Sequence, residues 1–450
     1  MASETPIRIP KDQSLKSTIS SQEREILRLK TSPSFRIGFH IVRAFEKPWR
    51  LLLIWFTLPL LMWKVARERW GKAPPVYSGL PMLEDIKKRR SIILFPTNGV
   101  GFGHFTRMLA LARKIRDESP DTEVVFFTTM PTLHILTEEG FPAYHVSGRS
   151  HFKEMEAATW NTICEESLVN IFQIHRPVAF IFDGAFPYRG MLNSIKNRSD
   201  LLRVWMKRGQ LRPGAKSIPI DSVQHFDLII HPSDGIDERV ESIHGIESKP
   251  ISPITLVSKH ELLDRMVLRS RLGIPAESVL AYLQLGAGRI NDIDSEIRIT
   301  LDALLEYPEV HVIIGESMIG KRIEFKHERV RVLRDYPNSI YFNSFDFSIM
   351  ASGYNSYHEA VRFGLPTICY PNLNTGKDNQ VARARIAEEA GCMIVVKHRS
   401  KKTIKNAIEK IMDEDYRNLM RDGTKKLQSA NGADEAAKDI ISRINNLITE

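Results

Sequence analysis

Two consecutive α/β halves, each a parallel sheet flanked by helices in the Rossmann manner, are predicted by three observations. From Ser91 onward, short bounded apolar runs alternate with amphipathic stretches, which is the rhythm of βαβ units. The rhythm pauses between about Pro232 and Ser278 and then restarts. A glycine-rich turn follows the first strand of each half. The length of 450 residues exceeds one ordinary core and suits two domains plus an appendage. A hydrophobic content of 42% with 26% charged residues excludes a disordered or fibrous chain.

The appendage comes first. Residues 1–33 are polar, with Ser20 to Lys30 a plausible short helix. Residues 1–90 hold 18 Lys and Arg against 8 Asp and Glu, an excess larger than the net charge of +9 for the whole chain. A basic excess confined to one end serves attachment to something anionic, either lipid headgroups or nucleic acid. The uncharged run Leu51 to Trp63 decides for lipid. It is flanked by Arg50, Lys64, Arg67 and Arg69, and Trp49, Trp55, Trp63 and Trp70 supply interfacial anchors. Thirteen residues reach only about 20 Å as a helix, short of a ~30 Å hydrocarbon core, and Pro59 interrupts them. The expectation is peripheral association with an anionic membrane at its cytoplasmic face, with no nucleic-acid partner; the plainer alternative is a helix packed on the following domain. Cys164, Cys369 and Cys392 lie far apart with no ligand spacing around them, so neither a disulfide framework nor a metal site is expected. Together with the missing export signal they place the chain in a reducing cytoplasm.

After a break at Gly71 to Pro81, strands are predicted near Ile92 to Phe95, Glu123 to Thr128, Val178 to Phe182, Leu201 to Met206 and Asp227 to His231. Helices fill the gaps, most clearly Thr106 to Arg116 and Ala157 to Phe172. The pause contains Pro250, Pro253 and Pro275 around a charged helical stretch, Lys259 to Arg271. Strands resume at Val279 to Leu285, Val310 to Ile314, Val330 to Leu333, Thr367 to Tyr370 and Met393 to Val396. Ala407 to Met412 and Ala436 to Leu447 read as helices. The resulting division is 1–90 basic tail, 91–250 first half, 251–278 linker, 279–430 second half and 431–450 terminal helix.

Three motifs carry chemistry. The first runs Asn98, Gly99, Val100, Gly101, Phe102, Gly103, His104, then Thr106 and Arg107 into a helix. Alternating glycines let the backbone approach a ligand, and the helix N-terminus behind them favours an anion. The spacing departs from the dinucleotide fingerprint, and no P-loop lysine follows. The second is Gly286, Ala287, Gly288, Arg289, where Arg289 suits a diphosphate. Asp292 and Asp294 after it are expected to be helix-dipole partners rather than metal ligands. The third spans Ser352, Gly353, Tyr354, Asn355, Ser356, Tyr357, His358 and Glu359, followed by Asp378, Asn379 and Gln380. Glu359 has two readings: partner of Ser356 in an S-x-x-E capping box, or acceptor from both hydroxyls of a ribose.

With these motifs, Ser91 to His398 resembles the two-domain GT-B glycosyltransferases, particularly family 28, which includes the N-acetylglucosaminyltransferase that makes lipid II. The resemblance implies a nucleotide-sugar held mainly by the C-terminal half, with Gly286, Gly288 and Arg289 on the diphosphate. It puts Gly353, Asn355, Ser356 and Glu359 at the nucleotide-binding helix, Glu359 on the ribose, and Asp378 with Gln380 on the donor-sugar hydroxyls. The loop Gly99, Gly101, Gly103 and His104 then belongs to the acceptor side. The extra Phe102 between glycines departs from the family pattern, and the acceptor side shows no close match. UDP as the nucleotide, a glycan or lipid-linked acceptor in cell-surface glycan synthesis, and inversion at the anomeric carbon follow from the likeness alone. No cofactor is implied, since the nucleotide-sugar is a substrate.

Transfer needs a base for the acceptor hydroxyl and a positive environment for the leaving phosphate. His104 is the candidate base, with an ordinary pKa of about 6.5, and Asp183 after a strand either orients it or replaces it. The rival enzyme is a UDP-sugar 2-epimerase of the same architecture, which needs no acceptor and would have no use for a basic apolar tail.

Overall fold

The structure is a computed structural model describing residues 29–30, 32–70, 90–97, 101–196, 198, 200–207, 220–234, 242–286, 293–318, 322–373 and 378–449. The chain divides into two compact units, Met1–Lys87 and Lys88–Glu450.

The described residues of the smaller unit are helical. Ser32 caps the helix Pro33–Glu46 by accepting from the Phe35 amide, and Pro33 and Pro48 open helices where their missing N–H costs nothing. The helix Ile54–Arg69 follows, with Pro59 inside it. The run expected as one segment, Leu51 to Trp63, is thus divided by a turn at Leu52 and Leu53. No helix among the described residues is long and apolar enough to cross a membrane. The short helix expected at Ser20 to Lys30 lies almost wholly outside the described residues.

The larger unit holds two sheets. The first comprises β1 (Ser91–Pro96), β2 (Glu123–Thr128), β3 (Ala143–His145), β4 (Ala179–Asp183), β5 (Leu202–Met206), β6 (Leu228–Pro232), β7 (Ser242–Ile243) and β8 (Ile246–Ile251). Its order is β3-β2-β1-β4-β5-β6-β8-β7, and every pairing except the β7–β8 hairpin is parallel. The second comprises β9 (Val279–Gln284), β10 (Val310–Gly315), β11 (Val330–Leu333), β12 (Phe347–Met350), β13 (Thr367–Cys369) and β14 (Met393–Val395). It is wholly parallel, in the order β11-β10-β9-β12-β13-β14. Within each half, strand order reverses after the first strand, between β1 and β4 and again between β9 and β12. Ligands of doubly wound sheets bind at such points, outside the carboxyl ends of the strands.

Strands covered on both faces need apolar residues throughout. In β1, Ile92 and Leu94 join the core on one face while Ile93 and Phe95 join the other. In β9, Ala281 and Leu283 face one core and Leu280 and Tyr282 the opposite one.

Several features depart from the sequence reading, among them the unexpected edge strand β3 beside β2. Phe347–Met350 forms β12, the neighbour of β9, although no strand is expected there. The pause near Pro232 to Ser278 holds strands besides the expected helical stretch, because β8 adds a parallel strand to β6 and β7 pairs with it. The charged stretch Lys259 to Arg271 is two pieces, a 3₁₀ turn Lys259–Glu261 and a helix Arg265–Leu272. That helix packs Leu268 into the second-half core and buries Arg269, which donates to the Ser344 and Ser278 carbonyls and to Asp346.

The terminal helix Gly432–Thr449 returns to the first half, where Ala433, Ala436, Ile440 and Ile444 complete its core. Gly432 is required at this return, since a Cβ there would lie 1.8 Å from the Ser252 carbonyl oxygen.

Candidate active site

The two switch points carry the sequence motifs. After β1 the chain passes through the described part of the glycine turn, Gly101 to Gly103, into the helix Gly103–Glu118; Gly99 lies outside the described residues. β4 ends at Asp183, paired in register with Pro96, so its carboxylate emerges beside that turn. After β9, Gly286 adopts φ +99°, a conformation for which glycine is suited; Gly288 and Arg289 lie outside the described residues. After β12 comes the helix Tyr354–Phe363, with Gly353 as its N-cap.

Asp183 is fully buried and serves two partners. His104 Nδ1 lies 2.6 Å from its Oδ1, while Arg107 donates from Nη2 to Oδ1 at 2.8 Å and from Nε to Oδ2 at 3.0 Å. Arg107 Nη2 also lies 3.0 Å from His104 Nδ1. A guanidinium nitrogen only donates, and the short 2.6 Å contact marks Nδ1–H donating to the carboxylate; the third contact is therefore two donors converging on one oxygen. The tautomer that follows carries its proton on Nδ1 and makes Nε2 the ring's acceptor, the disposition of an oriented general base. The imidazole keeps 24% of its surface exposed, whereas Asp183 and Arg107 keep 1% and 2%. Burial pushes the Asp183 carboxyl up, but the Arg107 charge and the bonds from His104 and Arg107 outweigh it, and the net shift is downward. Arg107 is held above its ordinary value: burial lowers it, and Asp183 more than offsets that.

Sequence reasoning gave Arg107 no role. The signal was present in its spacing, because His104 and Arg107 are three residues apart at the start of a helix and share a face.

The halves meet at this point. Thr106 Oγ1 and the Tyr336 hydroxyl are 2.8 Å apart, and Phe102 sets its ring edge-on to Tyr336 at 5.0 Å. A Cβ on Gly103 would lie 4.0 Å from Asn355 Oδ1, so the glycine turn of the first half abuts the Tyr354–Phe363 helix of the second. The Tyr354 hydroxyl accepts from the Ile254 amide at 3.0 Å, and Arg107 and Arg383 both lie against its ring.

Arg383 is the second buried cation. It donates to Asp234 Oδ1 through Nη2 at 2.6 Å and Nε at 3.1 Å, to Asp378 Oδ1 at 2.8 Å, and to the Ser352 carbonyl at 2.6 Å. Asp234 follows β6 of the first sheet, so this one side chain ties both halves to Asp378. Gln380 lies close to Asp378, with Nε2 3.3 Å from Oδ2, and accepts from the Asn372 amide. Asp234 Oδ2 and Asn355 Oδ1 are enclosed at this junction with no hydrogen-bond partner among the described residues.

Glu359 does not cap its helix. The N-cap is Gly353, Ser356 falls in the first turn and Glu359 in the second, so the S-x-x-E pattern is one turn too far along to form a capping box. Instead the carboxyl accepts from Ser339 Oγ at 2.9 Å and is pushed up to about 7 by burial, a rise that the Ser339 bond partly counters. Asp294 lies in the first turn of the helix Ile293–Leu305 beside Glu296, where both meet the dipole. Asp292 lies outside the described residues.

No protein-family model matches the sequence, and no curated protein resembles it significantly. Solved structures do. The crystal structure of Acinetobacter baumannii MurG matches with a TM-score of 0.52 at 14% identity, covering 79% of this chain and 99% of that one. CalG4, the calicheamicin glycosyltransferase, matches at 0.56 and 14%, covering 80% and 99%. The fold is GT-B. Spinosyn rhamnosyltransferase SpnG, solved with thymidine diphosphate, matches this GT-B chain at 0.54 and 12%, covering 78% and 99%. Identities this low establish architecture, and function must be argued from the site.

Proposed function

We propose that the chain is a glycosyltransferase that moves a sugar from a nucleoside diphosphate, UDP by family likeness, to a hydroxyl of a glycan or lipid-linked acceptor. One observation carries the reading: His104, Asp183 and Arg107 form an oriented base at the switch point of one GT-B half, facing the N-terminus of the nucleotide-side helix of the other.

Each group has a task. His104 Nε2 takes the acceptor hydroxyl's proton as that oxygen attacks the anomeric carbon; the bond from that carbon to the diphosphate breaks and its electrons leave on phosphate. Asp183 fixes the imidazole and balances the imidazolium, and Arg107 keeps Asp183 ionised. The leaving diphosphate suits the N-terminus of Tyr354–Phe363, whose first turn holds no acidic residue, together with Gly286, Gly353, Asn355 and Ser356. The helix Ile293–Leu305 suits an anion less well, because Asp294 and Glu296 already occupy its first turn. Gly288 and Arg289 are expected to complete the cradle. Glu359 takes the ribose hydroxyls, and Asp378 with Gln380 the donor sugar. Attack from the face opposite the phosphate inverts the anomeric centre. The basic, aromatic first unit favours an acceptor at the anionic inner face of a membrane and disfavours the epimerase, whose substrate is a soluble metabolite.

A thermal-shift screen of nucleotide-sugars, followed by a diphosphate-release assay on the strongest binder, tests the proposal. Binding by one nucleotide class with slow release of its diphosphate supports it; no stabilisation by any nucleotide-sugar refutes it.

A further inference from the structure

A soluble pair of helices buries apolar side chains between them and turns polar ones to water. The first unit does the reverse. Between the helices Pro33–Glu46 and Ile54–Arg69 lie polar contacts: Arg36 donates to both Glu68 oxygens at 2.6 and 3.2 Å, and His40 Nε2 meets Thr57 Oγ1 at 2.9 Å. Outward lie the aromatics. Val42 and Phe45 are 56% and 68% exposed and Trp55 and Phe56 86% and 74%, while Phe35 and Phe39, half-exposed, border the cavity between the helices. Ala44 is the sole buried residue among the described residues of the unit. An arrangement with no apolar core and an aromatic exterior matches the boundary between headgroups and acyl chains.

A cavity of about 890 Å³ opens within the unit, and its lining joins Arg43 and Arg50 to Phe39, Trp49 and Leu53. The guanidinium of Arg43 lies over Phe39 and that of Arg50 over Trp49, at 5.3 and 5.2 Å from the ring centroids. Among the described residues no carboxylate pairs with either arginine. Cations without counter-charges beside aromatic walls describe the two ends of an acidic amphiphile.

We infer that the helical pair lies in an anionic leaflet and that this cavity holds one acidic phospholipid, its phosphate on Arg43 and Arg50 and its first methylenes against Phe39, Trp49 and Leu53. The inference rests on the membrane side of the proposed function and uses none of its sugar chemistry.

Tryptophan emission and co-sedimentation of the full chain with vesicles test it. Four of the six tryptophans lie in residues 49–70, while Trp160 and Trp205 are buried, so a blue shift reports the first unit. Vesicles containing phosphatidylglycerol should bind the chain and shift its emission, phosphatidylcholine vesicles should do so far more weakly, and inorganic phosphate should do neither. Arg43→Gln with Arg50→Gln should weaken binding about 30-fold, two cations at about 1 kcal/mol each, with the melting temperature unchanged. Trp55→Ser with Phe56→Ser should weaken binding to both vesicle types. Equal binding to neutral and anionic vesicles overturns the acidic-lipid site yet leaves membrane association standing. No binding to either overturns both. Diphosphate release from a nucleotide-sugar is unaffected in each case.

Discussion

Asp183→Asn is the most informative perturbation of the first-half site. The substitution keeps the shape but replaces a charged double acceptor with an amide that offers one oxygen and one NH₂. Whichever way the amide is set, its NH₂ faces either Arg107 Nε or the shared point where Arg107 Nη2 and His104 Nδ1 converge. A wholly buried guanidinium then loses its counter-charge, which costs roughly 3 kcal/mol and lowers the melting temperature by about 5 °C. The amide can also donate to Nδ1, moving the imidazole proton to Nε2 and removing the base. Turnover should fall ~100- to 1000-fold while the donor KM changes less than about 3-fold. A double variant, Arg107→Met with Asp183→Asn, should recover part of the melting temperature because the stranded charge is gone, but none of the turnover. The pH dependence follows from the depressed Asp183 pKa. Its stabilisation is fully present above the ordinary carboxylate value and is lost as pH falls through the lower folded value, so the variant should show a shallower acid limb in melting temperature. Turnover by Asp183→Asn within about 3-fold of the parent would refute the orienting role of this carboxylate.

Three further outcomes are expected. His104→Ala should lower turnover by ~100-fold or more with donor affinity nearly intact, measured by initial rates against direct nucleotide binding. The Glu359 carboxyl is pushed up to about 7, and two ribose hydroxyls need its ionised form; nucleotide affinity should be full above that pH and fall about tenfold per unit below it, and Glu359→Gln should abolish the dependence in a calorimetric titration. Arg383→Lys should behave like Arg383→Met, since one ammonium cannot span Asp234, Asp378 and the Ser352 carbonyl together: melting should drop and donor KM rise in both, whereas rescue by lysine would reduce Arg383 to a point charge.

The sheets were legible where strands are apolar throughout and bounded by turns, as in Ser91–Pro96 and Glu123–Thr128. Phe347–Met350 was not: only four residues long, preceded by Asp346 and interrupted by Ser348, it gives periodicity too little to act on, though the strand sits beside β9 in the sheet. β8 was hidden by Pro250, which lies beyond the reach of β7, where one side of β8 has no strand partner. His104 and Asp183 could be named singly because each follows a strand; their 2.6 Å contact belongs to the parallel pairing of β1 with β4, which no local pattern encodes. Arg383 and Asp234 lie 149 positions apart, and only the approach of the two halves brings them together.

In the proposed reaction both halves grip one activated sugar and His104 activates the acceptor. Following the best-binding nucleotide-sugar by proton NMR, with the protein and no added acceptor, tests it most directly. Free nucleoside diphosphate and free sugar should appear together as water replaces the acceptor, with His104→Ala binding the donor but leaving it intact. Conversion of the donor into its 2-epimer, or cleavage undiminished in His104→Ala, would contradict it.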